Sequence, residues 1–401
     1  MVNDQIELMN KNISHKIGLK IGPIKLILNS ESESHQATPS YRYYIMLCII
    51  SGKAGEQSQE RDIKGRTYGM NILWAEVFFL SSLVISLDFE LFWGVTDSRT
   101  IDNYGTNIEG VWHAVPGLLK LFKKYDIHAT WATVGMLLCK DFNQWAGLCP
   151  AILPTYKRNS CSTYSVAILA RNFPKLFFAP VLVEQILTTD SQELASHTYS
   201  HFYCGEENTT VEQFAADLDC SKRIFDEYRV KPTSIVFPRN QVRDEYLKVL
   251  VNAGFTAYRG NQDHWMYRDG HLGSVSYFTA RRLIRAVDAV IPLIGNHTFL
   301  LPSGIPTGQL INIPASRFLR PVSGHSCIDK LHLNRIKRGM LEAARTNRAF
   351  HLWWHPHNFG LSPEANLVNL EKLLKYYCKL NHEYGMQSFS MRELEASCRI
   401  N

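Results

Sequence analysis

The feature that most constrains the fold of this chain is a regular alternation of short apolar segments with longer amphipathic segments from about residue 80 onward. The short segments have the pattern of strands, and the longer ones repeat apolar residues at helical spacing. Repeated strand–helix alternation predicts an α/β fold with a parallel sheet and helices packed outside it. About seven strands are recognisable, so we expect the sheet to close into a barrel, in which functional residues gather where the strands end.

The predicted strands cover residues 83–87, 128–135, 193–197, 234–237, 255–259, 351–354 and 386–389, and the predicted helices cover residues 108–125, 180–188, 211–228, 244–253, 329–345 and 363–380. Thr210 and Gln213 have the spacing of a capping box at the start of the 211–228 helix. Residues 140–178 are rich in Pro, Ser and Asn, which predicts an irregular insertion between two strand–helix units.

Residues 1–75 differ in composition from the rest of the chain. Gly, Ser, Lys, Gln and Glu dominate stretches such as NSESESHQATPS at residues 29–40. A low apolar content of this kind is typical of weakly ordered segments. We therefore predict an N-terminal extension over residues 1–75 that is disordered or lies outside the core, followed by one domain over residues 76–401.

Charge, hydropathy and cysteine content disfavour several classes of protein. The net charge is +6 and the basic residues are scattered, so no nucleic-acid partner is expected. The most apolar stretch, residues 70–87, is interrupted by Glu76, so no stable membrane insertion is expected. The 9 cysteines form no C-x-x-C pair and the first 30 residues show no secretory signal pattern, so we expect reduced thiols and a cytoplasmic location. None of these features predicts an oligomeric state.

The segment HTYSH places two histidines, His197 and His201, four residues apart. At this spacing both imidazoles can face one ion if the segment starts a helix or forms a turn, and imidazole is a common ligand of Zn, Fe, Ni and Co. The spacing alone leaves an alternative open, because among 15 histidines such a pair also arises from surface or core residues.

Two carboxylates follow the first apolar strand of the repeating pattern. Asp88 and Glu90 are two residues apart, so in a strand they project to the same side, with Phe89 on the other. Such close carboxylates repel each other unless one binds a cation and the other remains free as a general base. The alternative is a solvated acidic turn, which the apolar flanking residues, such as Trp93, disfavour.

Two further strand ends carry candidate catalytic side chains. His355 closes the apolar strand of HLWWHPHNFG and has the chemistry of a general acid, although a structural histidine is the alternative. Arg239 in FPRNQ is placed to orient a carboxylate through two hydrogen bonds, with a loop-surface arginine as the alternative. Arg259, also at a strand end, is a weaker candidate for the same role.

In order and approximate spacing, these segments resemble the motifs of the polysaccharide deacetylase family, also called the NodB-homology group or carbohydrate esterase family four. The resemblance covers about residues 80–395, with ISLDFELFWG, ELASHTYSH, FPRNQ and HLWWHPHNFG similar to successive motifs. Two positions depart from the family pattern. Phe89 replaces a second aspartate, so that Glu90 inherits its ligand role, and Arg239 follows Pro238 where the common form has arginine ahead of proline.

This resemblance implies a distorted (β/α) barrel, of the type shared by deacetylases and some glycoside hydrolases, that removes acetyl groups from an N-acetylated sugar or polysaccharide in cell-surface polysaccharide synthesis. It implies a divalent metal, expected to be Zn with Co, Ni or Fe as alternatives, and a set of functional residues. The implied metal ligands are Glu90, His197 and His201, the base is Asp88, the acid is His355, and Arg239 orients the base.

Several alternatives remain open on the sequence alone. The altered motifs are also compatible with a catalytically inactive carbohydrate-binding barrel, and a relative of this family can deacylate a non-sugar amide. A glycosidase with two carboxylates is disfavoured, because Asp88 and Glu90 lie too close together to flank a glycosidic bond. Trp93, Trp131 and Trp354 belong either to a sugar subsite or to the core.

Overall fold

A computed structural model of the protein describes residues 81–267 and 283–399, and the backbone of three strands that precede them. The chain divides into two compact units, Met1–Phe79 and Leu80–Asn401. In the first unit, β1 (Tyr44–Ser51), β2 (Gln59–Arg61) and β3 (Thr67–Glu76) form an antiparallel sheet of order β1-β3-β2. The remainder of the predicted extension lies outside the described residues.

The second unit is organised around one sheet in which every paired strand is parallel to its neighbour. The strand order is β10-β11-β4-β5-β6-β7-β8-β9, and β12 also pairs with β4. The strands are β4 (Ser82–Phe89), β5 (Ala129–Thr133), β6 (Gln192–Ser196), β7 (Ser234–Val236), β8 (Ala257–Arg259), β9 (Ile311–Asn312), β10 (Arg317–Phe318), β11 (Ala349–Trp354) and β12 (Gln387–Phe389).

One segment of chain, residues 311–319, joins the two ends of this strand order. The Ile313 amide donates a hydrogen bond to the Tyr258 carbonyl at 2.9 Å, beside β8. A few residues later, the Leu319 amide donates to the Trp353 carbonyl in β11 at 2.8 Å. The very short strands β9 and β10 therefore act as one irregular closing strand, and the predicted distorted barrel is confirmed.

The helices pack outside the sheet, except for the last one, whose residues Met391 and Leu394 join the apolar cluster on the inner face. The helices whose bounds lie within the described residues include Ile101–Glu109, Val111–Tyr125, Phe142–Gly147, Ala167–Asn172, Pro180–Leu187, Val211–Glu227, Asp244–Asn252, Ser326–Thr346, Pro363–Tyr384 and Met391–Ser397. The predicted helix over residues 108–125 corresponds to Val111–Tyr125, and the helix before it, Ile101–Glu109, was not predicted. Glycine is needed at the junction of the two helices, because a Cβ on Gly110 would overlap the backbone of Gly360.

The period-2 alternation of β4 sorts its side chains between two layers. Leu83, Ile85, Leu87 and Phe89 join the large apolar cluster between sheet and helices, whereas Val84 joins a second, smaller apolar cluster on the inner face of the sheet. The second cluster also contains Ile313 from the closing strand and Met391 from the last helix. The inner face of β4 thus begins apolar at Val84 and becomes polar at Ser86 and Asp88, toward the end of the strand.

Capping residues account for the start of two helices. The predicted capping box is present, because the Gln213 amide donates to Thr210 Oγ1 at 3.3 Å and the Thr210 amide donates to Gln213 Oε1 at 3.2 Å. The last helix, Met391–Ser397, was missed by sequence analysis. Ser390 and Glu393 form the same reciprocal pair at its start, so the S-x-x-E spacing was the available signal.

The state of the cysteines and the hydropathy of the helices were also predicted from the sequence. The cysteines of the described part of the chain are all free thiols: Cys139, Cys149, Cys161, Cys204, Cys220, Cys327, Cys378 and Cys398. Among the described helices, none has the length and apolar content needed to cross a bilayer.

Candidate active site

The predicted functional residues converge on one pocket at the C-terminal ends of the strands. The cavity has a volume of about 320 Å³. Its lining residues are Asp88, Glu90, Gly94, Val95, His201, Arg239, Asn240, Phe318, Trp353, His355, His357 and Asn358. They come from the last residues of β4, β10 and β11 and from the segments that follow β4, β6, β7 and β11. Residues distant in sequence therefore meet, because parallel strands end at the same edge.

A carboxylate and two imidazoles form the deepest part of this pocket. Glu90 Oε1 lies 3.0 Å from His197 Nε2 and 3.2 Å from His201 Nε2, and all three side chains are buried. A tetrahedral Zn site, with metal–ligand bonds of about 2.0–2.2 Å, places its ligand atoms about 3.3 Å apart. The observed spacing of these donor atoms therefore suits a divalent metal.

The hydrogen bonds of His197 add a second argument for a cation at this place. His197 Nδ1 lies 2.8 Å from the Val236 carbonyl oxygen, which only accepts, so Nδ1 carries a proton. In the neutral ring, Nε2 then presents a lone pair toward the Glu90 carboxylate at 3.0 Å. Two facing lone pairs repel, and a cation or a second proton between them removes the repulsion. A backbone acceptor on the outer nitrogen is also the usual support of a metal-bound histidine.

Charge around Glu90 keeps its carboxyl group ionised. Burial alone would raise the pKa of Glu90, but His355 and His201, with hydrogen bonds from His197 and His201, hold it well below its ordinary value. Burial lowers the pKa of His201, which favours the neutral ring that metals bind. His201 Nδ1 is buried and has no hydrogen-bond partner.

The turn that carries the two histidines is held by a carboxylate from the following helix. Asp217 accepts hydrogen bonds from the Tyr199 amide at 2.7 Å, from the Ser200 amide at 3.0 Å and from the Ser200 hydroxyl. Thr198 and His201 have φ values of +63° and +56°, so the turn uses left-handed backbone that side chains other than glycine rarely adopt. The Asp217 carboxylate compensates for this conformation with three hydrogen bonds.

The predicted insertion, residues 140–178, supports the same turn. Thr163 Oγ1 donates to the Ser200 carbonyl at 3.0 Å, and the Tyr203 amide donates to the Tyr156 hydroxyl oxygen at 3.0 Å. The insertion therefore packs behind the turn that carries the histidines.

Asp88 is held by a buried arginine. Arg259 Nη1 donates to Asp88 Oδ1 and Nη2 donates to Oδ2, both at 2.7 Å, and neither side chain is more than 4% exposed. Burial alone would raise the pKa of Asp88, but Arg259, with smaller contributions from His197 and His355, lowers it below its ordinary value. Asp88 is therefore an ionised acceptor in a fixed orientation.

The arginine expected to hold Asp88 lies elsewhere on the pocket wall. Arg239 pairs with Asp97 and, at 3.4 Å, with Glu206, and its guanidinium lies 4.2 Å from the ring centre of Tyr203. In the part of the chain that the structure describes, no contact joins Arg239 to Asp88. The interaction expected of Arg239 is made instead by Arg259, the weaker candidate on the sequence alone. The difference arises because Arg259 ends β8 on the inner face of the barrel, whereas Arg239 follows β7 in a turn.

His355 faces both carboxylates from the opposite side of the pocket. Its Nε2 lies 3.7 Å from Asp88 Oδ2 and 3.5 Å from Glu90 Oε1. His357, which sequence analysis did not select, lines the pocket beside it and groups with His355 and Glu90 at spacing suited to a metal. Burial lowers the pKa of His357 to about 3, so this ring is neutral.

The three tryptophans suggested for a sugar subsite are core residues. Trp93, Trp131 and Trp354 are fully buried, and they pack in the apolar cluster between sheet and helices. The aromatic residues that line the pocket are Trp353 and Phe318, whose ring centres lie 4.7 Å apart. Period-2 alternation in β11 separates Trp353 from Trp354.

Comparison with protein-family models matches residues 109–258 to the polysaccharide deacetylase family. The fold is similar to that of a candidate polysaccharide deacetylase from Mycobacterium smegmatis, with 13% identity, a TM-score of 0.51, and coverage of 80% of this chain and 91% of that one. A family 4 carbohydrate esterase from Streptomyces lividans matches with 9% identity, a TM-score of 0.36, and coverage of 80% and 97%. A comparison with curated protein sequences finds no match.

Proposed function

We propose that this protein is a metal-dependent hydrolase that removes acetyl groups from an N-acetylated carbohydrate, and the match of residues 109–258 to the polysaccharide deacetylase family model supports this proposal. The observation that carries the proposal is the convergence of Glu90, His197 and His201 on one point beside Asp88. A metal-ligand set with a separate ionised carboxylate next to it is the arrangement needed to activate water against an amide carbonyl.

Glu90, His197 and His201 would hold the metal, for which Zn is the first choice because the set combines two imidazoles with one carboxylate. When bound, such an ion polarises the carbonyl oxygen and lowers the pKa of water. Glu90 contributes the negative charge of the site, and the Val236 carbonyl fixes the tautomer and orientation of His197.

Asp88 is proposed as the general base. Its two oxygens each accept one hydrogen bond from Arg259, which leaves further lone pairs on a carboxylate that lines the pocket. The bidentate pair fixes the plane of the carboxylate, so that the base does not have to be oriented in each turnover. Arg259 is accordingly proposed as the residue that orients the base.

His355 is proposed as the general acid that protonates the leaving amine. Its Nδ1 lies 3.2 Å from Asn358 Oδ1, an acceptor that places the first ring proton there. Its Nε2 faces the pocket and both carboxylates, Asp88 and Glu90, which is the position from which an acid would donate a proton to the leaving amine.

The walls of the pocket suit a sugar ring. Trp353 and Phe318 provide an aromatic side, while Asn240 and Asn358 provide amide groups on the polar side. Sugars present apolar C–H faces and hydroxyl edges, so this division supports a saccharide over a purely apolar amide. An N-acetylated sugar in a surface polysaccharide or its precursor is the proposed substrate.

The test combines metal analysis with acetate release on a panel of N-acetylated oligosaccharides, O-acetylated oligosaccharides and N-acetylated amino acids. Wild type is expected to hold one metal per chain and to release acetate from an N-acetylated sugar. His197→Ala should lose both properties, and Asp88→Asn should keep the metal and lose turnover. His113→Ala is the matched control, because that imidazole is 63% exposed.

Two results would contradict the proposal. If wild type binds glycan with the same affinity after metal removal and Asp88→Asn changes nothing, the protein is a carbohydrate-binding barrel without catalysis. If acetate is released only from the amino-acid derivatives, the substrate is a non-sugar amide.

A further inference from the structure

The guanidinium group of Arg259 is fully hydrogen-bonded inside the barrel. Its five N–H groups all have acceptors: Nε donates to Asn240 Oδ1 at 3.3 Å, Nη1 to Ser86 Oγ at 2.9 Å and to Asp88 Oδ1, and Nη2 to Asp88 Oδ2 and to Asn240 Oδ1 at 2.8 Å. The orientation of Arg259 toward Asp88 therefore depends on two neutral acceptors, Asn240 and Ser86.

The Ser86 hydroxyl can serve as an acceptor for Arg259 only if its own proton points elsewhere. A hydroxyl group has one proton, and a guanidinium has no lone pair to accept it. The other partner of Ser86 Oγ is His351 Nε2, at 2.8 Å. The Ser86 hydroxyl group therefore donates its hydrogen bond to His351 Nε2.

The tautomer of His351 follows from its second partner. Nδ1 lies 3.3 Å from the Ile313 carbonyl oxygen, which only accepts, so Nδ1 carries the ring proton and Nε2 presents a lone pair to Ser86. The His351 side chain is fully buried, and burial lowers its pKa to about 3, in keeping with a neutral ring. One consistent direction of donation thus runs from Arg259 through Ser86 and His351 to the Ile313 carbonyl.

We propose that His351 is a positioning residue for the deacetylation reaction. It accepts a hydrogen bond from the Ser86 hydroxyl group, so that the Ser86 oxygen is free to accept from Arg259 and to hold the guanidinium group in the orientation that makes two hydrogen bonds to Asp88. The inference rests on the proposed function, because Asp88 is its base. His351 lies on the inner face of β11 beside β4, near the small apolar cluster inside the barrel. The hydrogen-bonded side chains of Arg259, Ser86 and His351 are therefore polar groups in mainly apolar surroundings.

Three variants test the chain of donors. His351→Leu keeps an apolar volume and removes the acceptor, whereas the amide oxygen of His351→Gln can reach the position of Nε2. We expect His351→Leu to lower kcat about tenfold to a hundredfold, the loss that a misplaced catalytic group causes, with the KM and the zinc affinity unchanged. His351→Gln should recover most of the lost kcat. In a Ser86→Ala background, His351→Leu should have no further effect on kcat, because both changes break the same link.

A measurement on the wild-type protein is independent of activity. Nitrogen-15 NMR of the protein labelled at histidine, with the His351 signals identified by their loss in His351→Gln, should show a protonated Nδ1 and a bare Nε2 at neutral pH. A protonated Nε2 would overturn the inference, as would a Gln variant no better than Leu or independent losses from the two substitutions. Absence of acetate release by wild type would instead refute the proposed function, and the tautomer would still be decided.

Discussion

Exchange of Arg259 for methionine is the sharpest test of how the base is held. The substitution leaves the Asp88 carboxylate buried at 4% exposure without its counter-ion. Breaking a buried pair by removing one partner costs about 3–5 kcal/mol of unfolding free energy, because the remaining charge is desolvated and unpaired. Asn240 and Ser86 also lose the donor that satisfies them, so we expect a value at the upper end of this range.

Arg239→Met is the matched control, since it removes the same group from the wall of the same pocket. The Arg239 side chain is 34% exposed, and an ion pair of that exposure contributes about 1 kcal/mol or less. Urea unfolding measures the two losses of stability, and acetate release measures activity. We expect turnover to fall at least about a hundredfold in Arg259→Met and far less in Arg239→Met. Equal losses in both variants, or a larger loss from Arg239→Met, would refute the assignment of Arg259 to Asp88.

Three further predictions concern the metal ligands and their support. Gly94→Ala should weaken zinc binding about tenfold to a hundredfold in a chelator competition, because the added Cβ would overlap the Glu90 carboxylate, whereas Gly147→Ala, with open space around it, should not. Burial raises the pKa of Asp217 to about 6 from 3.8. The contribution of the protonated Asp217 side chain to the unfolding free energy is therefore complete below pH 3.8 and is lost as the pH rises through 6. The unfolding free energy of wild type should therefore fall by about 3 kcal/mol relative to Asp217→Asn across that window in urea titrations, and a flat difference would contradict this. Zinc at about a hundred times its Kd should add about 2.7 kcal/mol to the unfolding free energy of wild type and nothing to that of His197→Ala.

Much of this site was predictable from local spacing. Period-2 alternation places Asp88 and Glu90 on one side and Phe89 in the outer apolar cluster, as the structure shows. The strand that leads to His355 also ends where expected, because a mostly apolar run followed by polar residues is a strong local signal. These features depend on residues that are close in sequence, so they can be recognised in a single sequence without an alignment of relatives.

The features that sequence analysis missed depend on contacts between distant segments. The preference of Asp88 for Arg259 over Arg239 is decided by which strand end points its side chain into the barrel, and residue type and sequence position are similar for both. The closing strands β9 and β10 have only 2 residues each, too few for any periodicity to show. Position 110 requires glycine because the Gly360 backbone approaches it, a cause that lies far along the chain.

The ligand geometry itself is a tertiary property as well. His197 and His201 are four residues apart, a spacing that in a helix would place both rings on one face, yet the segment forms a turn with left-handed backbone at Thr198 and His201. Each such residue costs about 1–3 kcal/mol, and hydrogen bonds to a charged group contribute about 1.5–3 kcal/mol each. Asp217, with two backbone amides and one hydroxyl as donors, thus holds the turn in this conformation. The two imidazoles reach a single oxygen of Glu90 because Asp217, from the following helix, holds the turn. The H-x-x-x-H spacing is therefore necessary for this site but does not by itself determine it.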